Sequence, residues 1–436
     1  FFTNEKESGL ESLLINWLVN HNGYEQGQNR DYNTEYALDT TRLFRFLKNT
    51  QPDAVKKRQL ETNPQKTAQF LARVRDEITK RGIVDVLRKG IKAYPASLIM
   101  FYMTPSVNNP AAAALYAKNI FSVRASSIFA DATKLSLDLC IFVNGLPVIT
   151  FELKNQLTKQ NVDDAVYQYQ HARSPKELLF QFTRCMVHFA VDDAQVKFCT
   201  RLQGKASWFL PFNKGYKDGA GNPPNPDGLM TDYLWKQILT KDMLSRIIEN
   251  YATLVEEKDE ETGKTRYKQI FPRYHQLTAV ESLLADVKKN GVGNRYLIQH
   301  SAGSGKSNSI AWLAHQLTGL EDAQGNLLVD SVIVVTDRVV LDKQIRDTIR
   351  QFAQTRNIIA WAEHSGDLRK AIEDGRRIII TTIEKFPYVL SEIGEDHKDR
   401  HFAIIIDEAH SSQNGKTAGT MNMTLSAIMS DPDMDN

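Results

Sequence analysis

The stretch LDLCIFVNGLPVITFELKN, residues 137–155, decides the reading of the first half of the chain. Leu137, Leu139, Ile141 and Val143 alternate along its first arm, and Ile149, Phe151 and Leu153 along its second. A period of two is that of a strand, and Asn144-Gly145 between the arms is a hairpin turn signal. The opposite face carries Asp138 on one arm and Glu152 and Lys154 on the other. If the loop is the three residues Asn144 to Leu146, Asp138 stands across from Glu152. A two-residue loop would set Asp138 against Phe151 and mix the faces, so the alternation favours the first register. Facing carboxylates repel each other at cross-strand distance. Something must compensate, and a divalent cation is the obvious candidate.

The rest of the chain limits what can surround this hairpin. Its 436 residues allow roughly two to four domains. With 42% hydrophobic and 24% charged residues, composition argues against a disordered or membrane class. No apolar run approaches the ~20 residues of a membrane span and nothing at the start reads as a signal peptide. A cytoplasmic protein without a membrane partner is expected. The first residue is Phe1, which reads as a trimmed start. Cys140, Cys185 and Cys199 are scattered, with no CxxC, which suits a reducing compartment and gives neither a zinc nor a disulfide framework. A net charge of +2 is neutral on nucleic acid, so any DNA contact must rest on local patches.

Residues 7–19 read as an amphipathic helix, and a helical stretch over 53–92 carries Arg73, Arg75, Lys80, Arg81, Arg88, Lys89 and Lys92. A solvated face is the plainer reading of that charge, and a nucleic-acid-facing surface the sharper one. Strand signals dominate 120–155 and 180–200, with a helix near 161–172 between them, an order that suits a mixed sheet. A Gly/Pro/Asn loop at 212–228 precedes helical signals at 232–254, and the charged stretch 256–269 reads as a connector between domains. Beyond it, RYLIQ (295–299), VIVVT (332–336), RIIIT (377–381) and FAIIID (402–407) alternate with helical stretches. Continuous apolar strands separated by helices predict a parallel sheet covered on both faces. The expected division is 1–255 and 256–436.

HSAGSGKSNS (300–309) follows the predicted strand 295–299 and opens a predicted helix. That is the setting of a phosphate-binding loop: glycines admit the phosphates to backbone amides, and the helix start favours negative charge. Gly303, Ser304 and Gly305 form the cradle, Lys306 reaches the outer phosphates and Ser307 ligates Mg2+. The usual first glycine is replaced by His300. About a hundred residues on, FAIIIDEAH ends a predicted strand in Asp407, placed to hold Mg2+ through water, and Glu408, placed to activate the attacking water.

This pair of motifs resembles the superfamily 2 helicases and translocases. The resemblance makes Gln276 in FPRYHQ (271–276) the adenine contact, and VVTDRVVLDKQ (334–344) and TTIEKF (381–386) similar to DNA-touching strand ends. No second RecA-like segment follows before Asn436, so this chain alone is expected to bind ATP weakly and not to translocate. Upstream, Asp138, Glu152 and Lys154 resemble the PD-(D/E)xK nucleases. That implies Mg2+ on Asp138 and Glu152, a carbonyl near Leu153 as a further ligand, and Lys154 orienting water. Related nucleases carry Gln-x3-Tyr on the following helix. Here Gln168, Tyr169, Gln170 and Arg173 are the candidates to replace it, and Glu7 or Glu11 could complete the metal shell or simply be solvated.

A nuclease ahead of such a motor, joined by CTRLQGKASWFLPFNKGYKDGAGNP (199–223) and TDYLWKQIL (231–239), resembles the endonuclease and motor subunit of type I restriction-modification enzymes. The resemblance implies an α/β architecture, a nuclease-like mixed sheet followed by a RecA-like parallel sheet. It also implies ATP and Mg2+ as cofactors, double-stranded DNA as substrate, and modification (methyltransferase) and specificity subunits as partners. S-adenosylmethionine enters only through those subunits. The alternatives are another helicase-nuclease of repair or defence and a catalytically silent DNA-binding scaffold. Type III subunits place the nuclease after the motor, whereas Asp138 here precedes Lys306.

Overall fold

Seven strands build the sheet to which the hairpin belongs. They are β1 (Glu25–Gln26), β2 (Phe121–Ala130), β3 (Leu135–Val143), β4 (Leu146–Leu153), β5 (Val187–Val191), β6 (Val196–Cys199) and β7 (Leu210–Pro211), in spatial order β1 to β7. The computed structural model describes residues 8–92, 94–130, 135–155, 159–258, 263–301, 303–336, 339–352, 359–361, 365–382 and 400–407. It divides into two compact units, Phe1–Tyr274 and His275–Asn436. In the first, the sheet is mixed: β1–β2 and β4–β5 run parallel and the other pairs antiparallel. The parallel β4–β5 pair needs a crossover, supplied by the helix α3 (Val162–Ala172). Asn161 caps that helix, its side chain accepting from Asp163 N at 2.8 Å while Asp164 reaches back to the Asn161 N–H.

The hairpin turn corrects the expected loop. Val143 pairs with Leu146, so only Asn144 and Gly145 form it, with φ of 50° and 82°. Positive φ at both central residues is what Asn-Gly favours. Near the turn Phe142 faces Pro147, but Ile141 faces Ile149, so Val148 is an extra residue in β4. Pro147 has no N–H for the ladder, and a bulge is where a strand accommodates that. The bulge restores the pairing further out, Cys140 with Thr150 and Leu139 with Phe151. Continued one step, the register sets Asp138 level with Glu152, as the alternation predicts.

Both faces of the hairpin are covered, which the two-faced pattern did not anticipate. Every residue of β4 is buried, and Cys140 and Phe142, on the Asp138 face, pack with Tyr169, Phe180 and Leu202. The turn is buried too. Asn144 is fully enclosed, donating to the Met100 carbonyl at 2.9 Å and accepting from Ile120 N at 2.7 Å.

The first unit contains the predicted helix α1 (Ser8–Asn20) and the long helix α2 (Pro64–Arg81). Charges of 53–92 largely compensate one another: Arg81 binds Glu77 at 2.7 Å and also Asp85, Lys89 binds Asp85, and Arg75 binds Asp76 at 2.9 Å. Arg88 is spent on the carbonyls of Ile248 and Ala252, at 2.6 and 2.7 Å. This is the solvated-face reading rather than a free cationic surface. The connector predicted over 256–269 instead contributes to a two-stranded ribbon, β8 (Thr253–Lys258) with β9 (Thr265–Ile270), inside the first unit. Charged residues on an exposed ribbon look like a linker in sequence, but Gln269 anchors it, donating to the carbonyls of Cys185 and Met186 at 2.7 and 2.6 Å.

In the second unit β10 (Ser331–Thr336), β11 (Ile359–Trp361), β12 (Ile378–Thr382) and β13 (Phe402–Ile406) form a wholly parallel sheet in the order β11-β12-β10-β13. Ile333, Val335, Ile372 and Ile379 pack in its core. The helices α4 (Tyr274–Asn290) and α5 (Lys306–Leu317) flank the glycine loop in sequence. The strand predicted at 295–299 is not formed. Tyr296, Leu297 and Ile298 are exposed and pair with no described strand, so an apolar run alone did not make a ladder. The cysteines are free and buried, and among the described residues no helix is long and apolar enough to cross a membrane.

Candidate functional site

Glu152 lies on β4 between Phe151 and Leu153, paired in the parallel ladder with Ala190 of β5. It is completely buried. Arg173, the residue closing α3, donates from Nε to Glu152 Oε1 at 2.5 Å, and this ion pair is itself buried. Among the described residues Glu152 Oε2 has no hydrogen-bond partner. Burial first, and the neighbouring Asp138 second, push the Glu152 carboxyl up to about 8, against the opposing pull of Arg173 and Lys154. Asp138 is half-buried and accepts the Leu153 N–H on Oδ2 at 2.7 Å, which locks it to the neighbouring strand. Lys154, just past the end of β4 and nearly buried, is fixed by its main-chain bond to the Val191 carbonyl at 2.8 Å.

The three predicted residues therefore converge at one end of the hairpin. Of the four candidates on and after α3, Arg173 is the one bonded to Glu152. Tyr169 turns to Thr150, with their hydroxyls 2.8 Å apart, and Gln170 donates to the Ser207 carbonyl at 3.1 Å. Glu11 is half-buried in the first turn of α1, and Glu7 lies outside the described residues. Beneath the acids lies a polar chain that sequence reading missed: Thr150 Oγ1 also contacts His188 Nδ1 at 2.7 Å, and burial drives His188 down to about 3, keeping it neutral. No spacing marks Thr150 or His188, because they meet only across the β4–β5 ladder.

Among the described residues no three His, Cys, Asp or Glu side chains converge as a metal cluster. The fit of a divalent cation rests on Glu152 Oε2. A buried carboxylate oxygen without a partner is costly, and a cation beside Asp138 would satisfy it.

The second site is built from main chain. Gly303 and Gly305 adopt φ of 72° and 86°, conformations that favour glycine, and α5 begins immediately after at Lys306. Ser304 is buried, and its hydroxyl makes no hydrogen bond among the described residues. Lys306 and Ser307 occupy the first turn, half-buried. Gln276 on α4 is buried and donates to the Gly305 carbonyl at 2.9 Å, so it braces the loop. His300, standing where the first glycine is usual, packs edge-on against His275 at 5.1 Å. Burial, His275 and Lys306 together lower its pKa. Asp407 follows β13, with its N–H bonded to the Val335 carbonyl at 2.9 Å. Glu408, residues 337–338 and residues 383–386 lie outside the described residues, while 339–344 open the helix Val339–Phe352.

The first unit is thus a mixed sheet with paired acids, and the second a parallel sheet with a glycine loop at a helix start. Residues 4–207 match the type I restriction enzyme R protein N terminus, and residues 275–430 match the SWI2/SNF2 ATPase family. The chain is 31% identical over 159 residues to the C-terminal part of the putative type I restriction enzyme MpnIIP endonuclease subunit, from Mycoplasma pneumoniae. That match covers 33% of this chain and 73% of the relative. It is 28% identical over 294 residues to the type I restriction enzyme HindI endonuclease subunit of Haemophilus influenzae, covering 64% of this chain and 26% of the relative. The putative type I restriction enzyme MjaVIIIP endonuclease subunit of Methanocaldococcus jannaschii is 23% identical over 378 residues, 79% of this chain and 33% of the relative. The chain belongs to the family of type I restriction enzyme endonuclease (R) subunits. It spans about a quarter to a third of the longer relatives.

Proposed function

We propose that this chain carries the DNA-cutting centre and the first ATP-binding half of the motor of a type I restriction enzyme, with the boundary between them at Tyr274–His275 rather than at the expected 255–256. The carrying observation is the buried pair of Asp138 and Glu152 with an unpartnered Oε2 beside Lys154. Asp138 and Glu152 would hold Mg2+, which when bound supplies Lewis-acid polarisation of the phosphate and a more acidic attacking water. Arg173 holds Oε1 and so leaves Oε2 as the oxygen turned to the site. Lys154 carries the positive charge that orients water and offsets charge growing on the cleaved phosphate. This is PD-(D/E)xK chemistry on duplex DNA.

In the second unit Gly303, Ser304 and Gly305 offer amides to the phosphates of ATP, Lys306 its ammonium, and Ser307 and Asp407 the oxygens for a magnesium ion. Gln276 reads the adenine while bracing Gly305, and Glu408 positions the hydrolytic water. In the assembled enzyme, ATP hydrolysis moves DNA past a core of modification and specificity subunits, which supply sequence recognition and the use of S-adenosylmethionine. The relatives' names support this reading. The test is paired substitution in that assembly. Glu152→Ala should cut cleavage on the order of a thousandfold, the several kcal/mol expected of metal catalysis, and leave ATP hydrolysis intact. Lys306→Ala should abolish both. Cleavage that survives Glu152→Ala would overturn the nuclease assignment.

A further inference from the structure

Residues 194–217 contain Lys197, Arg201, Lys205, Lys214 and Lys217 and no acid, in a chain whose 54 basic and 52 acidic residues nearly cancel. Lys197 pairs with Asp163. Arg201, Lys205, Lys214 and Lys217 are exposed and form no ion pair among the described residues. In their midst Trp208 is 76% exposed. Trp is usually well buried, so its exposure needs a reason.

The turn that presents Trp208 is braced on both sides. The Ser207 hydroxyl accepts from Gln203 N at 2.8 Å and donates to the Gly204 carbonyl at 2.6 Å, and the Ser207 carbonyl accepts from Gln170 on α3. Phe209 turns inward, with its ring 5.5 Å from that of Tyr169, and packs with Val162, Ala165 and Ala190. Ala190 is the ladder partner of Glu152, and Gln170 lies three residues before Arg173, which binds Glu152. Trp208 is thus held outward one residue from a side chain that packs beside the acid.

We propose that the turn Arg201–Trp208 is a duplex-DNA contact of the nuclease site. Trp208 lies against a base or deoxyribose near the scissile phosphate, and Arg201 and Lys205 hold the backbone. The proposal rests on the nuclease reading of Asp138 and Glu152. Arg201, Lys214 and Lys217 lie over the rings of Phe182, Tyr233 and Tyr216, which position them without neutralising their charge. Trp and Arg suit a protein partner as well, but three lysines without an acid partner among the described residues select a phosphate backbone, because Lys is depleted from protein–protein interface cores.

The test uses this chain with a duplex oligonucleotide. The duplex should shield Trp208 from acrylamide quenching, read as the difference between wild type and Trp208→Phe. Trp208→Ala should weaken duplex binding at least about fivefold, the low end for an aromatic stacked on a base. Trp208→Phe should restore most of that, and Lys205→Gln should lower the salt dependence by about one phosphate contact. Wild-type affinity in Trp208→Ala would overturn the proposal. So would shielding by the modification and specificity subunits without DNA. Glu152→Ala separates the two claims: if it still cleaves in the assembled enzyme while Trp208 remains shielded by DNA, the nuclease assignment fails and the contact stands.

Discussion

In the first unit the candidate site is made of side chains, and in the second it is made of main chain. Glu152, Asp138, Lys154 and Arg173 come from two strands and the end of a helix, and each is fixed by a bond elsewhere in the sheet. Their charges face one another in a buried setting, so every member depends on the others. The phosphate loop needs only two glycines with positive φ, a helix start and one brace from Gln276. The first arrangement depends on strand register and burial, the second on local backbone geometry. Damage to the first should therefore spread through the sheet, and damage to the second should stay local.

The largest expected effect tests that dependence at Arg173. Removing one partner of a buried ion pair leaves the other charge uncompensated, at about 3–5 kcal/mol; because the Glu152 carboxyl is already raised to about 8, that cost is read above pH 8, where Glu152 is ionised. Arg173→Met should destabilise the first unit by that order in denaturant unfolding. Arg173→Met with Glu152→Gln should recover much of it, because the stranded charge is gone. Additive losses in the double variant would show that Arg173 acts by packing rather than by pairing.

The same contrast explains what could be read from the sequence. The glycine loop, the parallel strands β10, β12 and β13 and the hairpin acids were legible, because each depends on neighbours in sequence or on a two-residue period. Asn144-Gly145 announced the turn, but the bulge at Val148 did not announce itself; it follows from Pro147 meeting Phe142, a pairing known only once the register is set. The Arg173–Glu152 bond spans 21 residues through the α3 crossover, so spacing could nominate Arg173 among four candidates and not single it out. RYLIQ shows the opposite failure. Its composition is that of a strand, yet Leu297 is exposed, because a strand needs a neighbour as well as a pattern.

A smaller effect concerns His188, beneath the acids. Its folded pKa near 3 lies below the ordinary 6.5 because burial penalises the charged form. The unfolded chain therefore takes up a proton that the folded chain refuses. His188 contributes stability in full above pH 6.5, and that contribution drains as pH falls toward 3. Its limit is ~1.4 kcal/mol per pH unit. Glu152 has the opposite sign, losing its contribution as pH rises from 4.5 to about 8, so wild type alone blurs the two. The difference in unfolding free energy between wild type and His188→Asn should shrink by about that slope below pH 6.5. A pH-independent difference would mean that His188 is not held neutral, and the polar chain under the acids would lose its electrostatic role.

The smallest effect should come from the main-chain site, at Gly305. A Cβ there would meet Gln276 Nε2 at 2.4 Å, and the φ of 86° adds the cost of a left-handed residue, about 1–2 kcal/mol. At Gly303, with φ of 72°, a Cβ meets nothing within 4 Å among the described residues, so Gly303→Ala should carry the backbone cost alone. Gly305→Ala should cost more than Gly303→Ala, and the excess should disappear in a Gln276→Ala background, where the clashing side chain is gone. Gln276→Ala alone gives up the bond to the Gly305 carbonyl, worth about 0.5–1.5 kcal/mol. The cycle is read in denaturant unfolding and in binding of a fluorescent ATP analogue. Strict additivity of Gly305→Ala and Gln276→Ala would mean that the two residues do not touch in solution. The loop would then be held by its own backbone alone, and the contrast with the interlocked acid site would be sharper still.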